Sequence, residues 1–306
     1  MKEQYPKLIF FVILILAISG FIGSALALIL GIVYSIFWNN PLSKSINKNI
    51  SFLLKISVVG LGFGMYLNET LKTSKEGLGL TISTIILTLT VGTLLAKLLG
   101  IDKKLSHLIT SGTAICGGSA IAAVAPTIKA EGKVISLALG IVFLLNSIAL
   151  FIFPPLGHII GLTQEQFGLW SAVAIHDTSS VVGASLAYGD EALKIATTVK
   201  LSRTLWIIPL AFFSMLFFKS KGEKIKIPYF IAFFVLAILI NSYHVLPESL
   251  THYIVVIAKR LLVATLFLIG MTISIKDLKA LGIKPILFAV ILWGVISVFS
   301  LIYILN

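Results

Sequence analysis

The sequence has little charge. Only 12% of its 306 residues are Asp, Glu, Lys or Arg, whereas 58% are hydrophobic. Soluble domains carry about 25% charged residues, so this composition excludes a soluble protein of this size. The hydrophobic residues form blocks of about 15 to 22 residues, the length at which a helix crosses the hydrocarbon core of a bilayer. The sequence therefore predicts an all-α protein, a polytopic bundle of transmembrane helices in a lipid bilayer.

Cysteine is scarce, and familiar catalytic motifs are absent. Cys116 is the only cysteine, which excludes an internal disulfide and a cysteine cluster for zinc or iron–sulfur. The sequence contains no GxSxG elbow, P-loop or HExxH helix, so no motif supports a hydrolase or an ATP-driven pump. We expect no enzyme activity, no cofactor and no metal. The net charge of +12 lies mostly in short links between apolar blocks, which argues against a nucleic-acid partner.

The apolar blocks predict about eleven spans in one integral membrane transporter domain covering residues 1–306. The first stretch, Leu8 to Trp38, counts as two short helices because Ser19-Gly20-Phe21-Ile22-Gly23 interrupts it. The remaining blocks run roughly over 50–67, 78–99, 105–128, 134–156, 167–188, 192–218, 228–244, 252–274 and 283–305.

Lysine distribution favours the reading of the first stretch as a hairpin. With a hairpin, all the Lys-rich links fall on one side of the membrane and the Lys-free link 241–251 falls on the other, as the positive-inside rule requires. The Lys-rich links are the N-terminus and residues 97–104, 219–226 and 276–284. We therefore predict a multi-pass protein with a cytoplasmic N-terminus.

Two weak self-similarities suggest duplicated halves, as in many transporters. Val58–Met65 resembles Val263–Met271, and these Gly-Met helices run in opposite directions in the predicted topology, as an inverted repeat requires. Ala114–Ala120 matches Ala174–Ser180 at Ala, Ile and Ser. The two pairs occur in opposite order along the chain, and the topology makes the second pair parallel. Either one assignment is wrong or the second similarity is not a repeat.

The stretch Thr110–Ser119 predicts a helix interrupted at membrane depth. It packs three glycines and four hydroxyl residues into a span. Backbone groups left unpaired in lipid cost several kcal/mol each, so such a break occurs only where protein or a cavity satisfies them. Gly117-Gly118 is a natural break, and Ser119 would cap the half-helix that begins there, whose N–H groups suit an anion. The alternative is a small-residue face for close helix packing.

The run His176–Ser180 predicts a second break, in the middle of another apolar block. Asp177, Thr178 and Ser179 are all residues that favour a helix N-cap. Ionisable residues inside a span indicate a functional site, because placing them there costs at least about 2.5 kcal/mol. His176 could carry a proton near neutral pH, with Asp177 holding its charge or capping the half-helix. Alternatively, the two side chains satisfy each other and only lock packing.

A cationic stripe on the next helix is the best anion site in the sequence. The spacing of Thr197, Lys200, Arg203 and Thr204 places them on one face. The alternative for Lys200 is that it reaches the outer interface by snorkelling. Snorkelling or packing is also the alternative for intramembrane cations elsewhere, namely Lys55, Lys259 and Arg260. The predicted substrate-binding residues are Cys116, Gly117, Gly118, Ser119, His176, Asp177, Thr178, Ser179, Lys200 and Arg203.

Three runs of sequence together resemble the YeiH family of bacterial membrane proteins. They are Thr113–Pro126, Ile175–Ala184 and Val199–Arg203, and the likeness extends over nearly the whole chain. That family is described as sulfate exporters and is grouped with sodium/proton antiporters and bile-acid symporters. The resemblance implies inverted repeats, two discontinuous helices that cross at the midplane, and residence in the bacterial cytoplasmic (inner) membrane.

We therefore predict a secondary transporter that exports a small anion, such as sulfate or a related sulfur oxyanion. The alternative is a cation/proton antiporter in which Asp177 and His176 exchange a proton for sodium. A membrane-embedded enzyme or channel is a third reading, and the absence of a nucleophile–base pair argues against the enzyme. The sequence leaves open whether a proton or sodium ion is coupled to the anion and whether the protein is a homo-oligomer.

Overall fold

A computed structural model describes residues 4–38, 46–218, 229–271 and 282–306. Within these ranges the chain is helical and contains no strand, which confirms the predicted class, a polytopic helical membrane bundle. The predicted link 219–226 and the lysines of the last link at positions 276 and 279 lie outside the described residues.

The described helices are α1 Gln4–Ser19, α2 Ser24–Phe37, α3 Ile46–Gly62, α4 Leu67–Leu99, α5 Lys103–Ala114, α6 Gly118–Thr127, α7 Gly132–Ile160, α8 Gln164–Ala174, α9 Thr178–Tyr188, α10 Asp190–Thr204, α11 Ile207–Phe217, α12 Phe230–Ser242, α13 Glu248–Gly270 and α14 Ile283–Leu305.

Five stretches of the described chain are long and apolar enough to cross a membrane alone. They are Leu67–Leu99, Leu137–Ile160, Asp190–Phe217, Glu248–Gly270 and Ile283–Leu305. The other apolar helices have 10–17 residues. At 1.5 Å per residue these extend about 15 to 25 Å, less than the hydrocarbon thickness of about 30 Å.

The described residues divide into two compact units, and each is discontinuous along the chain. The first unit contains α1, α2, α3, α12, α13 and residues 182–187 of α9. The second contains α5 to α8, α10, α11, α14, most of α4 and the two ends of α9. The prediction of a single transporter domain over residues 1–306 stays a prediction.

In the first unit, α1 and α2 form a hairpin, as predicted. Gly20, with φ +88°, makes the turn, and the Tyr34 hydroxyl donates to the Pro6 carbonyl at 2.9 Å. The far ends of the two helices are therefore adjacent. Gly31 and Gly270 bring α2 and α13 so close together that neither glycine has room for a Cβ.

The two Gly-Met helices also lie in the first unit, and they run in opposite directions. Gly60 of α3 packs on Ala258 of α13, and Gly64, just after α3, packs on Val255. Residue numbers therefore rise along α3 as they fall along α13, so the helices are antiparallel. This is the orientation that the inverted-repeat prediction requires for this pair.

In the second unit, each predicted break is present, but the two half-helices fold back on each other. In the first hairpin, α5 and α6, Gly112 packs on Ile121, and Lys104 Nζ donates to the Lys129 carbonyl at 2.8 Å. If α5 and α6 ran on in one direction, Lys104 and Lys129 would be about 38 Å apart, so the two helices must lie side by side. The crossing of discontinuous helices that the family resemblance implied is therefore wrong for this segment.

The second hairpin, α8 and α9, has the same form. The ring centroids of Phe167 and Tyr188 are 3.8 Å apart, and the Tyr188 hydroxyl donates to the Leu162 carbonyl at 2.6 Å. Gln164 at the start of α8 accepts from the Glu191 N–H at 3.0 Å, just beyond the end of α9. The start of α8 and the end of α9 therefore lie side by side and form the base of this hairpin. The break at 175–177 forms its tip.

The two hairpins enter the second unit from opposite ends. Helix α7 has 29 residues, a length of about 43 Å. It begins at Gly132, beside the base of the first hairpin, and ends at Ile160, beside the base of the second. The tips, 115–117 and 175–177, meet between these bases, where the Gly117 backbone packs on His176 and Asp177. This opposed arrangement replaces the parallel one that the predicted topology gave for the two polar segments.

Candidate functional site

The two hairpin tips form the candidate site, and Lys200 of α10 ties them together. Its Nζ donates to the carbonyls of Ile115 at 3.0 Å, Ala172 at 3.2 Å and Ile175 at 2.9 Å. The last carbonyls of a helix have no partner within the helix, and a cation there also complements the negative end of the helix dipole. Lys200 therefore satisfies the C-terminal ends of α5 and α8 together. Its side chain is 0% exposed, so the snorkelling alternative is wrong.

Arg203, one turn further along α10, holds the first tip from the same side. Its guanidinium donates to the Ala114 carbonyl at 2.5 Å and to the Thr84 hydroxyl of α4 at 2.7 Å. Arg203 is fully buried, and its Nε has no partner among the described residues. The two other predicted members of this stripe bond the backbone of their own helix: the Thr197 hydroxyl donates to the Leu193 carbonyl, and the Thr204 hydroxyl donates to the Lys200 carbonyl.

Two buried positive charges thus lie side by side without an ion pair. Among the described residues, no carboxylate lies within 4.0 Å of Lys200 or Arg203. Unpaired buried charges are costly, and carbonyl dipoles compensate them only in part. Asp177 at the second tip supplies one negative charge nearby, so these three residues leave a net charge of +1 if all are ionised.

Asp177 caps α9 and does not pair with His176. One of its carboxylate oxygens accepts from the Ser179 N–H at 3.1 Å, from the Ser179 hydroxyl and from the Ser180 N–H at 3.3 Å. This confirms the capping role that the sequence offered for Asp177. His176 is fully buried, and neither of its ring nitrogens has a partner among the described residues. The alternative of a mutually satisfied His176–Asp177 pair is therefore wrong.

The first turn of α6 is open, in contrast to that of α9. Gly117 is its N-cap residue and makes no side-chain hydrogen bond. Ser119 is the second residue of the helix and is exposed, so the prediction that Ser119 caps this half-helix is wrong. A residue inside the first turn cannot place its side chain where an N-cap residue does. The N–H groups of Gly118 and Ser119 have no side-chain acceptor among the described residues, which leaves these donors and a positive dipole end available to an anion.

The predicted site residues divide into a buried framework and an accessible edge. Gly118, Asp177 and Thr178 are partly exposed and Ser119 is exposed, so they can meet a ligand directly. The buried members are Cys116, Gly117, His176, Ser179, Lys200 and Arg203. All of these residues belong to the second unit. The structure thus brings the predicted set together around the two tips, with the cations behind the edge.

Sequence reasoning missed three residues that hold the tips. Asn146 of α7 accepts from the N–H groups of His176 at 2.9 Å and Asp177 at 3.2 Å. Trp293 of α14 donates to the Ala174 carbonyl at 2.9 Å, and Thr84 accepts from Arg203. An amide in the middle of an apolar span was a visible signal for Asn146. No comparable signal marked Trp293 or Thr84.

Comparison with known proteins identifies the family of this chain. The family described as conserved hypothetical protein 698 matches residues 11–289. The chain is 53% identical to a UPF0324 membrane protein of Photobacterium profundum over 99% of this chain and 93% of that protein. The chain belongs to the UPF0324 family. This is the YeiH-type family that the sequence motifs resemble.

Other UPF0324 proteins are similar along almost their whole length. A UPF0324 membrane protein of Bacteroides thetaiotaomicron is 49% identical over 94% of this chain and 87% of that protein. One of Shewanella oneidensis is also 49% identical, over 98% and 95%. No solved structure matches the chain. The comparisons therefore show a membrane protein of the UPF0324 family.

Gly117→Ala is expected to loosen the first tip. Gly117 has φ +61° and ψ −121°, a conformation that side-chain-bearing residues avoid. A Cβ added here would lie in ordinary contact, at 3.4 Å, with the backbone of His176 and Asp177, so the strain comes from the backbone conformation. We expect the substitution to lower the free energy of unfolding by about 1–3 kcal/mol, measured by denaturation in mixed micelles. Gly294→Ala, in an open position of α14, is the control and should not destabilise. Equal stability of the two variants would contradict this role for Gly117.

Proposed function

We propose that the protein is a secondary transporter that moves a small anion across the bacterial cytoplasmic membrane. The observation that carries the proposal is the pair of buried, ion-pair-free cations, Lys200 and Arg203, behind the contacting tips of two opposed hairpins. Burying positive charge inside a membrane protein costs free energy, so buried cations of this kind indicate a functional site. The open first turn of α6 adds N–H donors directed at the same place.

The chemistry of the edge suits a small oxyanion. The N–H groups of Gly118 and Ser119 and the hydroxyls of Ser119 and Thr178 can donate hydrogen bonds, while Lys200 and Arg203 supply positive charge from behind. Lys200 has its three hydrogens engaged with carbonyls, so its contribution is electrostatic. We propose sulfate or a related sulfur oxyanion as the substrate, export as the direction, and a cytoplasmic N-terminus.

Hairpins from opposite ends also suit alternating access. In transporters, irregular backbone at membrane depth is tolerated where it lines a substrate site, and inverted repeats expose that site to each side in turn. The carbonyl contacts of Lys200 join the two tips, so a change at either tip is transmitted to the other. We propose that the tips separate and rejoin around the anion during transport.

Transport of labelled sulfate and sulfite into proteoliposomes, with and without a pH gradient, tests the proposal. The expected result is saturable uptake above that of protein-free vesicles. Uptake at the protein-free level for both anions under either condition would contradict it.

Asp177→Asn distinguishes the proposal from the alternative cation/proton antiporter. An amide oxygen can still cap α9, so we expect anion flux to persist within about threefold of wild type, because the lost hydrogen-bond strength is modest. A cation/proton antiporter would instead show flux driven by an imposed sodium gradient, lost in Asp177→Asn and independent of Lys200. Sodium-driven flux with that pattern, measured in the same vesicles, would replace the anion proposal.

A further inference from the structure

The first unit contains a cavity of about 620 Å³ at the turn of the α1–α2 hairpin. All of its lining residues belong to that unit. Its walls are mostly apolar, including Ile22, Leu26, Val256 and Val263, and its cations are Lys259 and Arg260 of α13. None of the described residues that line it is acidic. The cavity is therefore both hydrophobic and positively charged.

The two cations lie far from the ends of α13. Arg260 is 12 residues from Glu248 and 10 from Gly270, about 18 and 15 Å along the helix. Helix α13 is one of the stretches long and apolar enough to cross a membrane. Placing a cation near the middle of a span costs free energy, so such a cation indicates a functional site.

Arg260 points at the hairpin turn, where the backbone makes room for it. Its guanidinium lies directly over Gly20, so closely that a Cβ at this position would overlap it. Arg260 makes no hydrogen bond or ion pair within the part of the chain that the structure describes. Its donors are therefore available to a ligand. Gly23, the N-cap residue of α2, makes no side-chain cap and also lines the cavity.

We infer that this cavity binds an amphipathic anion. An acidic head group, such as a sulfonate, phosphate or carboxylate, accepts hydrogen bonds from Arg260 and lies beside Lys259. An apolar body packs against Ile22, Leu26 and Val256. A bare inorganic anion would leave these apolar walls without a partner, and a neutral hydrocarbon would leave Arg260 without one. The site lies in a different unit from the hairpin tips and does not depend on the function proposed for them.

Equilibrium binding of radiolabelled octanesulfonate tests the inference, with the full chain in phosphatidylcholine nanodiscs. We expect one saturable site in the wild type, and a Kd at least about tenfold higher in Arg260→Gln, because a charge-assisted hydrogen bond is lost. Lys55→Gln removes an exposed cation of α3 outside the cavity and should bind like wild type. Unlabelled octanol and sulfate should not compete.

A second variant keeps the test decisive if Arg260→Gln does not fold. Val256→Trp fills the cavity without removing charge and should weaken binding to a similar degree.

Nanodiscs containing phosphatidylglycerol identify the source of the natural ligand. Competition by this lipid indicates an anionic lipid, and unchanged octanesulfonate binding indicates a free organic anion. The absence of saturable binding to the wild type, or an unchanged Kd in both Arg260→Gln and Val256→Trp, would overturn the inference.

Discussion

Lys200→Met is expected to lower the free energy of unfolding by about 3 kcal/mol and to reduce anion transport to background. Methionine has a similar length but no hydrogens to donate, so the carbonyls of Ile115, Ala172 and Ile175 lose their shared donor. Each orphaned buried carbonyl costs about 1–3 kcal/mol, and removing the desolvated ammonium recovers part of that cost. Denaturation in mixed micelles measures the stability, and labelled sulfate uptake measures the transport.

Lys194→Met is the matched control for Lys200→Met. Lys194 lies on the same helix and is exposed, so its loss should leave both measurements within experimental error of wild type. Lys200→Arg keeps the charge, but a planar guanidinium cannot reproduce the three directions of an ammonium group. We expect it to be intermediate in both measurements. Wild-type stability and uptake in Lys200→Met would show that the tips do not depend on this side chain.

Arg203→Ala is expected to abolish anion movement in proteoliposomes. The substitution removes a buried positive charge, frees the Ala114 carbonyl and the Thr84 hydroxyl, and empties the space of a fully buried side chain. Large-to-small changes in a core cost about 2–5 kcal/mol, so the variant should also be less stable than wild type. Uptake of labelled sulfate and the unfolding midpoint are the two measurements.

Two milder substitutions separate the charge of Arg203 from its packing. Arg203→Lys retains the charge but loses the fork that reaches both acceptors, and we expect uptake to fall about tenfold. Thr84→Val removes only one acceptor and keeps the volume similar, so its effect should be smaller. Undiminished flux in Arg203→Ala would exclude Arg203 from the transport mechanism.

The positions of the two breaks could be predicted from sequence because local chemistry sets them. Gly117-Gly118 weakens a helix from within, and Asp177 offers a carboxylate that caps the next one. Lys200 and Arg203 could be predicted as important because cations inside apolar blocks are rare. Both kinds of signal lie within a few residues of the feature they predict.

The direction of the chain after each break could not be predicted in this way. A block of 24 residues such as 105–128 is long enough for one crossing of about 36 Å or for two arms of about 18 Å each. The choice depends on distant contacts, including Lys104 with Lys129 and Tyr188 with Leu162. The role of Lys200 in joining two tips likewise rests on carbonyls at least 25 residues away. Composition and periodicity do not contain this information.

The most direct test of the account is counterflow of labelled sulfate and sulfite in proteoliposomes preloaded with the unlabelled anion. The wild type and Ser147→Ala, which removes a partly exposed hydroxyl of α7 that bonds only its own helix, should show saturable exchange with the same KM. The double variant Ser119→Ala, Thr178→Val removes hydroxyls from the accessible edge of the tips and should exchange with a KM raised about tenfold. Exchange no faster than in protein-free vesicles, flux that does not saturate, or an unchanged KM in the double variant would contradict an anion site at the hairpin tips.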